Sequence, residues 1–276
     1  MQIDRTVAMA LLLAAVAAGP ALAQTPLPPG EAEASIRLEG SPRHGEWVRV
    51  DAGAGDRVDA WIVYPERSDP APVVIVIHEI FGLTDWIRAV TDQLAAEGFI
   101  AIAPDFLSGK GPGGGGSASV SSDAARGLIG RLEWQEILRR LDATARYATG
   151  LPAATERFGV IGFCWGGATT FGYATEQPAL GAAVVYYGTS PETRALAAVR
   201  APVLGLYGGD DARVNATIPA AETEMQRLGQ RYEKEIYEGA GHAFLRAQDG
   251  RGGANLNASR RAWPRMLTFL RESLGS

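Results

Sequence analysis

Short apolar segments alternate with longer amphipathic segments along most of this chain. Residues 46–50 and 57–64 alternate apolar with polar side chains, which predicts two antiparallel strands joined by a glycine-rich turn. Residues 73–77 form a continuous β-branched run, the pattern of a central parallel strand buried on both faces. Further strands are predicted at residues 99–103, 158–161, 182–187, 203–207 and 232–237.

Amphipathic segments between these runs have the apolar spacing of helices. The predicted helices are residues 84–97, 124–149, 167–174, 218–228 and 255–274. Repeated alternation of strand and helix indicates the α/β class: a mostly parallel central sheet with helices on both faces and antiparallel strands at its N-terminal edge. In such sheets, ligands bind at the carboxyl ends of the strands.

The length and composition fit one domain of this class. The chain has 276 residues, of which 46% are apolar and 21% are charged, and such folds reach about 250 residues as one unit. We assign the domain to residues 46–276, after an extended, mobile leader over residues 24–45. Residues 108–122 are rich in glycine and serine and predict a flexible loop, either a surface linker or a lid near the site.

The first 23 residues have the features of a signal peptide. Arg5 precedes an apolar run over residues 7–18, and Ala21-Leu22-Ala23 fits a small-residue cleavage site. The run is shorter than the ~20 residues of a membrane-spanning helix. We therefore expect an exported protein, periplasmic or secreted, that begins near Gln24 and is free of the membrane after cleavage. The alternative is an uncleaved membrane anchor.

Charge and residue counts narrow the classes of ligand. The formal net charge is −5 and no basic run stands out, so nothing indicates nucleic-acid binding. Three scattered histidines and one cysteine give no metal-ligand cluster, and the glycine-rich loop lacks the Gly-Lys-Ser/Thr of a phosphate-binding loop. We expect no cofactor, no metal and a monomer that acts on a small molecule.

The only cysteine, Cys164, follows a predicted strand in the sequence Gly-Phe-Cys-Trp-Gly at residues 162–166. This is the pattern of a nucleophile elbow, a sharp strand-to-helix turn that needs small residues on both sides of the nucleophile. A thiol there faces a helix N-terminus, which favours the thiolate, and the Trp165 N–H can donate to an oxyanion. The alternative is a small buried thiol at a close-packed turn.

An elbow nucleophile needs a base and an acid that orients the base, in the chain order nucleophile, acid, histidine. Asp210 and Asp211 follow a predicted strand; we prefer Asp211 as the acid, with Asp210 as the alternative. His242 follows the last predicted strand, and it is the base because His44 and His78 precede the elbow. The alternative is that Asp210 and Asp211 are ordinary turn aspartates and that His242 is a solvated loop histidine.

The turn after the 73–77 strand supplies the second oxyanion donor in this arrangement, and we assign it to the Ile80 N–H. Glu79 then lies beside the nucleophile, where a carboxylate disfavours the thiolate. We hypothesise that Glu79 keeps the resting thiol protonated until substrate displaces it. The alternative is a salt bridge of Glu79 elsewhere.

These motifs together resemble the dienelactone hydrolase family of the α/β-hydrolase fold, over about residues 46–274. They are His-Glu-Ile-Phe-Gly-Leu at 78–83, Gly-Phe-Cys-Trp-Gly-Gly at 162–167, Tyr-Gly-Gly-Asp-Asp at 207–211 and Gly-His-Ala-Phe at 241–244. The resemblance implies a catalytic triad of Cys164, Asp211 and His242, with Glu79 next to the nucleophile and the same two oxyanion donors.

The resemblance also implies how a substrate binds. An arginine four residues after the histidine binds the substrate carboxylate in lactone-cleaving members, and Arg246 stands at that position. We expect Phe81 to line the substrate site as well. A second arginine is expected after the Pro-Asp that follows the 99–103 strand; this chain has Lys110 there, which lacks the bidentate guanidinium.

We therefore expect a hydrolase that cleaves a small ester or lactone, including one that carries a carboxylate, through an acyl-enzyme on cysteine. The alternatives are a broader thioesterase or acyl-transfer enzyme, and a non-catalytic binding protein that retains the pocket.

Overall fold

Eight strands form one sheet in the computed structural model, which describes residues 26–275. The strands are β1 (Gly45–Gly53), β2 (Asp56–Val63), β3 (Ala71–Ile77), β4 (Ile100–Pro104), β5 (Ala154–Phe163), β6 (Ala182–Tyr186), β7 (Val203–Gly208) and β8 (Tyr232–Tyr237). Their spatial order is β1-β2-β4-β3-β5-β6-β7-β8. The pairs β1–β2 and β2–β4 are antiparallel, and all later neighbours are parallel. The predicted α/β architecture is confirmed.

Helices cover both faces of this sheet. They are α1 (Ala34–Glu39), α2 (Asp85–Ala96), α3 (Ser122–Ile129), α4 (Trp134–Thr149), α5 (Trp165–Ala174), α6 (Ala212–Asn215), α7 (Ile218–Arg227) and α8 (Ala254–Leu274). Helices α2 and α8 pack one face, and α4, α5 and α7 pack the other. Because alternate side chains of β3 enter the two cores, all seven of its residues are buried.

Residues 26–45 differ from the extended, mobile leader that we expected. They contain a 3-10 turn at Glu31–Glu33 and the helix α1, and Ala34 at its start is 1% exposed. The indole N–H of Trp86 on α2 donates to the Pro29 carbonyl at 3.1 Å. The proline content of this segment predicted an extended chain without tertiary contacts. Its structure instead depends on contacts with α2, which is distant in the sequence. The predicted signal peptide, residues 1–23, lies outside the described residues.

Two further predictions are corrected near residue 120. The helix predicted over 124–149 is two helices, since α3 ends at Ile129 and α4 begins at Trp134. The loop 108–122 is anchored rather than free, because the Ser117 N–H and hydroxyl both donate to the Asp105 carboxylate, at 2.7 and 2.5 Å. No helix within residues 26–275 has the length and apolar character needed to cross a membrane.

Candidate active site

The turn between β5 and α5 holds Cys164 at the carboxyl edge of the sheet. Its φ of 56° and ψ of −113° are rare for a residue with a side chain. A Cβ at Gly162 would lie 2.0 Å from the Gly166 carbonyl oxygen, and a Cβ at Gly166 would lie 2.3 Å from the Ile77 carbonyl oxygen. Only glycine fits at these two positions, so the turn has the geometry of a nucleophile elbow.

Asp211 contacts His242, whereas Asp210 does not. The His242 Nδ1–H donates to Asp211 Oδ2 at 2.5 Å, and Asp211 is only 7% exposed. Asp210 instead pairs with Arg251 on the surface at 3.0 Å. Because a carboxylate acceptor at Nδ1 holds the proton on that nitrogen, Nε2 is left free to accept one.

The Cys164 thiol is not hydrogen-bonded to the imidazole. Among residues 26–275, no hydrogen bond joins Cys164 to His242, whose ring instead packs edge-on against Tyr187 with centroids 5.1 Å apart. Burial raises the pKa of Cys164 to about 11, the charge of Glu79 adds to this rise, and the Trp165 N–H opposes it. The resting thiol is therefore protonated at neutral pH.

Glu79 lies in the turn after β3, buried to 2% exposure and close enough to influence the thiol. Burial raises the pKa of Glu79 to about 7, although the neighbouring Arg246 acts in the opposite direction. Glu79 Oε2 is 2.6 Å from Arg246 Nε, while Oε1 is buried without a hydrogen-bond partner. Glu79 is thus both ion-paired with Arg246 and close to the Cys164 thiol.

Arg246 and Phe81 lie together at this site. The guanidinium of Arg246 is 5.1 Å from the centre of the Phe81 ring, and Arg126 on α3 is 5.0 Å from the same ring. A second carboxylate, that of Glu31, pairs with Nη1 of Arg246. The arginine that the resemblance assigns to substrate binding therefore already has two carboxylate partners.

The two proposed oxyanion donors come from adjacent turns, because β3 and β5 are paired and Ile77 lies opposite Gly162. No hydrogen bond among the described residues uses the Ile80 N–H. His78 packs next to these turns: it is fully buried, accepts a hydrogen bond from the Phe106 N–H at 3.2 Å and stacks on the Trp165 ring with centroids 5.6 Å apart. His78 thus has a packing role next to the two turns.

Comparison with known proteins identifies the family. Residues 58–274 match the model of the dienelactone hydrolase family. This chain belongs to that family. A Salmonella typhimurium protein named "Putative carboxymethylenebutenolidase" is 34% identical over 260 residues, which are 88% of this chain and 95% of that protein.

Solved structures of the family have the same fold. A "Putative Dienelactone Hydrolase" from Klebsiella pneumoniae superposes with a TM-score of 0.72 at 29% identity, covering 82% of this chain and 98% of that chain. A dienelactone hydrolase-like promiscuous phosphotriesterase from metagenomic libraries superposes with a TM-score of 0.70 at 27% identity, covering 84% and 98%. The family makes this protein a hydrolase that acts on an ester or lactone.

Lys110 does not join Arg246 at the candidate substrate site. Its ammonium pairs with Glu136 at 2.8 Å, and Glu136 also pairs with the buried Arg140. The second substrate-binding cation of the family therefore has no counterpart at this position. In the part of the chain that the structure describes, no three His, Cys, Asp or Glu side chains could hold a metal ion.

Tyr187 is a site residue that sequence reasoning missed. It follows β6, is fully buried and has a φ of 40°, and its hydroxyl has no hydrogen-bond partner. Burial raises its pKa well above the ordinary value, and the charge of Glu79 adds to this rise. Its position after a parallel strand was the available signal, since ligands bind at such strand ends.

Proposed function

We propose that this protein cleaves small esters or lactones with Cys164 as the nucleophile and through an acyl-enzyme intermediate. The observation that carries the proposal is the contact of His242 with Asp211 at 2.5 Å, at the same sheet edge as the thiol on its strained elbow. A nucleophile, a base and an orienting acid are the three groups that this chemistry requires.

Acylation begins when the thiol turns toward His242 and transfers its proton to Nε2. The sulfur then attacks the carbonyl carbon, and the N–H groups of Ile80 and Trp165 stabilise the oxyanion. The carbon–oxygen bond to the leaving alcohol breaks, the imidazolium protonates that oxygen, and a thioester to Cys164 remains. In a lactone, the alcohol stays attached to the acyl group.

Deacylation reverses the same roles. His242 takes a proton from water, the hydroxide attacks the thioester carbonyl, and the oxyanion again contacts the two amides. The carbon–sulfur bond then breaks, and the imidazolium returns the proton to the sulfur. The products are a carboxylic acid and an alcohol, and the enzyme regains its neutral thiol.

We assign Glu79 the role of keeping the thiol protonated between turnovers. Its charge raises the pKa of the Cys164 thiol to about 11 together with burial, and a thiol resists oxidation better than a thiolate. Arg246 and Phe81 form one wall of the proposed substrate site, because the guanidinium lies against the aromatic ring.

Two further proposals concern the whole protein: that it is exported after removal of residues 1–23, and that it acts as a monomer. The apolar run and the cleavage-like sequence support the first. The intact mass of the mature protein tests the first proposal, which predicts the mass of residues 24–276. The molecular mass from light scattering tests the second, which predicts the mass of one chain.

The test of the proposed activity compares the native protein with Cys164→Ala on p-nitrophenyl acetate and on dienelactone. We expect turnover by the native protein and a loss of at least about 10³-fold in the variant, because the covalent route is removed. A variant as active as the native protein contradicts the nucleophile. Turnover of an acyl thioester alone favours the broader thioesterase, and binding of dienelactone without turnover of any substrate favours a binding protein.

A further inference from the structure

Glu31 belongs to the N-terminal segment, yet its side chain reaches the candidate active site. The backbone N–H of Glu31 donates to the Arg246 carbonyl at 3.0 Å. Its carboxylate pairs with Nη1 of the same arginine, although 215 residues separate the two along the chain. Backbone and side chain of Glu31 therefore both contact Arg246.

The segment before Glu31 is fixed by two further hydrogen bonds. The Gln248 side chain donates to the Pro28 carbonyl at 2.9 Å, and the Trp86 indole donates to the Pro29 carbonyl at 3.1 Å. Both prolines are buried. Because the backbone is held on either side of Gly30, the position of the Glu31 carboxylate follows from the fold and not from a chance surface pairing.

Arg246 lies between two carboxylates of different exposure. The Glu79 side chain on one side is 3% exposed, and the Glu31 side chain on the other is 56% exposed. Glu31 therefore occupies the solvent-exposed side of the guanidinium, and Glu79 occupies its buried side. When both glutamates are ionised, these three groups carry a net charge of −1, so Glu31 cancels the attraction that Arg246 would otherwise have for a further carboxylate.

Glu31 lies outside the residues that match the family model, which are 58–274. The other cations near the site are Arg126, over the Phe81 ring, and Arg213 on α6, whose charge acts on the Cys164 thiol. Neither side chain forms an ion pair among residues 26–275, so both contribute positive charge. Arg126 and Arg213 are present in both the native protein and a Glu31 variant. A comparison of the native protein with that variant therefore isolates the effect of Glu31.

We propose that Glu31 is a specificity-determining residue: by occupying the solvent side of Arg246, it disfavours esters and lactones that carry a carboxylate relative to uncharged ones. This inference rests on the proposed function of the same site. It narrows the substrate class to neutral acyl groups and assigns the selection to a segment that precedes the family match.

The first test compares two esters that differ by one negative charge, p-nitrophenyl butyrate and mono-p-nitrophenyl succinate. Glu31→Gln keeps the size of the side chain and removes its charge. We expect the ratio of kcat/KM for the anionic ester to that for the neutral ester to rise about tenfold, the factor for one relieved like-charge contact near a surface. In the matched control Glu33→Gln, at an exposed residue of the same turn, the ratio stays unchanged.

The second test needs no ester turnover. Iodoacetate and iodoacetamide alkylate Cys164 and differ only in charge, and because the chain has one cysteine, total alkylation reports that residue. We expect the rate ratio of iodoacetate to iodoacetamide to rise in Glu31→Gln and not in Glu33→Gln.

The two tests separate the inference from the proposed function. If neither ester is hydrolysed but the alkylation ratio rises in Glu31→Gln, the proposed function fails and selection against anions by Glu31 stands. Unchanged ratios in both tests overturn the inference. An equal loss of both ester activities in Glu31→Gln also overturns it, because Glu31 then only holds Arg246 in place.

Discussion

Arg246 contacts one carboxylate oxygen of Glu79, and the other oxygen is buried without a partner. A fully paired carboxylate would have a lowered pKa, but burial outweighs this single ion pair and raises the pKa of Glu79 to about 7. Glu79 is therefore a group whose charge changes near neutral pH beside the proposed nucleophile. Its titration links the reactivity of the thiol to the stability of the fold.

Removing the charge of Glu79 is expected to make Cys164 more reactive. In Glu79→Gln, the thiol loses the repulsion that helps raise its pKa to about 11. A fall of about one pKa unit increases the thiolate fraction at pH 7 about tenfold. The measurement is the rate of iodoacetamide alkylation against pH, with the exposed Glu176→Gln as control. A profile for Glu79→Gln identical to the native one would contradict the role of Glu79.

The same substitution changes how stability depends on pH. Because the folded-state pKa of Glu79 is raised from 4.5 to about 7, its contribution to stability is complete below 4.5 and is lost as pH rises through 7. Between these values, the free energy of unfolding of the native protein should fall relative to that of Glu79→Gln by up to about 3 kcal/mol. Urea titrations of both proteins at several pH values measure this difference. Two parallel curves of stability against pH would show that Glu79 does not titrate in this range.

The adjacent aspartates provide a matched pair of variants. Asp211→Asn removes the acceptor that fixes the His242 tautomer, and we expect kcat to fall by about 10⁴-fold. Asp210→Asn breaks only an exposed pair with Arg251, so kcat should change less than about twofold. Steady-state kinetics on p-nitrophenyl acetate compares them. Equal losses in the two variants would mean that the contact with His242 has no catalytic role.

The unpartnered hydroxyl of Tyr187 predicts opposite effects on stability and activity. Tyr187→Phe removes a buried polar group that lacks a hydrogen bond, so the melting temperature should stay the same or rise. If this hydroxyl binds the substrate, kcat/KM should fall about tenfold.

Tyr186→Phe is the control for Tyr187, because the Tyr186 hydroxyl already donates to the Ala262 carbonyl at 3.5 Å. We expect Tyr186→Phe to lower the melting temperature slightly and to retain native kcat/KM. A Tyr187→Phe variant that is less stable and equally active would assign its hydroxyl a structural role.

The parts of the site that the sequence predicted are encoded locally. Glycines on both sides of Cys164 predict the elbow, and strand ends followed by turns predict where Asp211 and His242 lie. The sequence favoured Asp211 but left Asp210 as an alternative, because the two are adjacent and their directions depend on the turn, in which the Asp210 N–H donates to the Ala240 carbonyl.

The features that the sequence did not predict depend on contacts between distant residues. Glu31 meets Arg246 across 215 residues, and no local pattern indicates that contact. Lys110 has the sequence position at which a substrate-binding cation is expected. In the structure, however, its ammonium forms an ion pair with Glu136 on α4. The partner of a charged side chain is determined by how helices and strands pack, which a motif in one segment does not report.

In the proposed mechanism, Cys164 carries the acyl group during turnover. The most direct measurement is rapid acid quenching of the native protein with p-nitrophenyl acetate, followed by mass spectrometry of its peptides. We predict one acetyl group on the peptide that contains Cys164, formed as fast as nitrophenol is released in the first turnover, and no adduct in Cys164→Ala. Release of nitrophenol at the native rate without acetylated Cys164 would contradict the account.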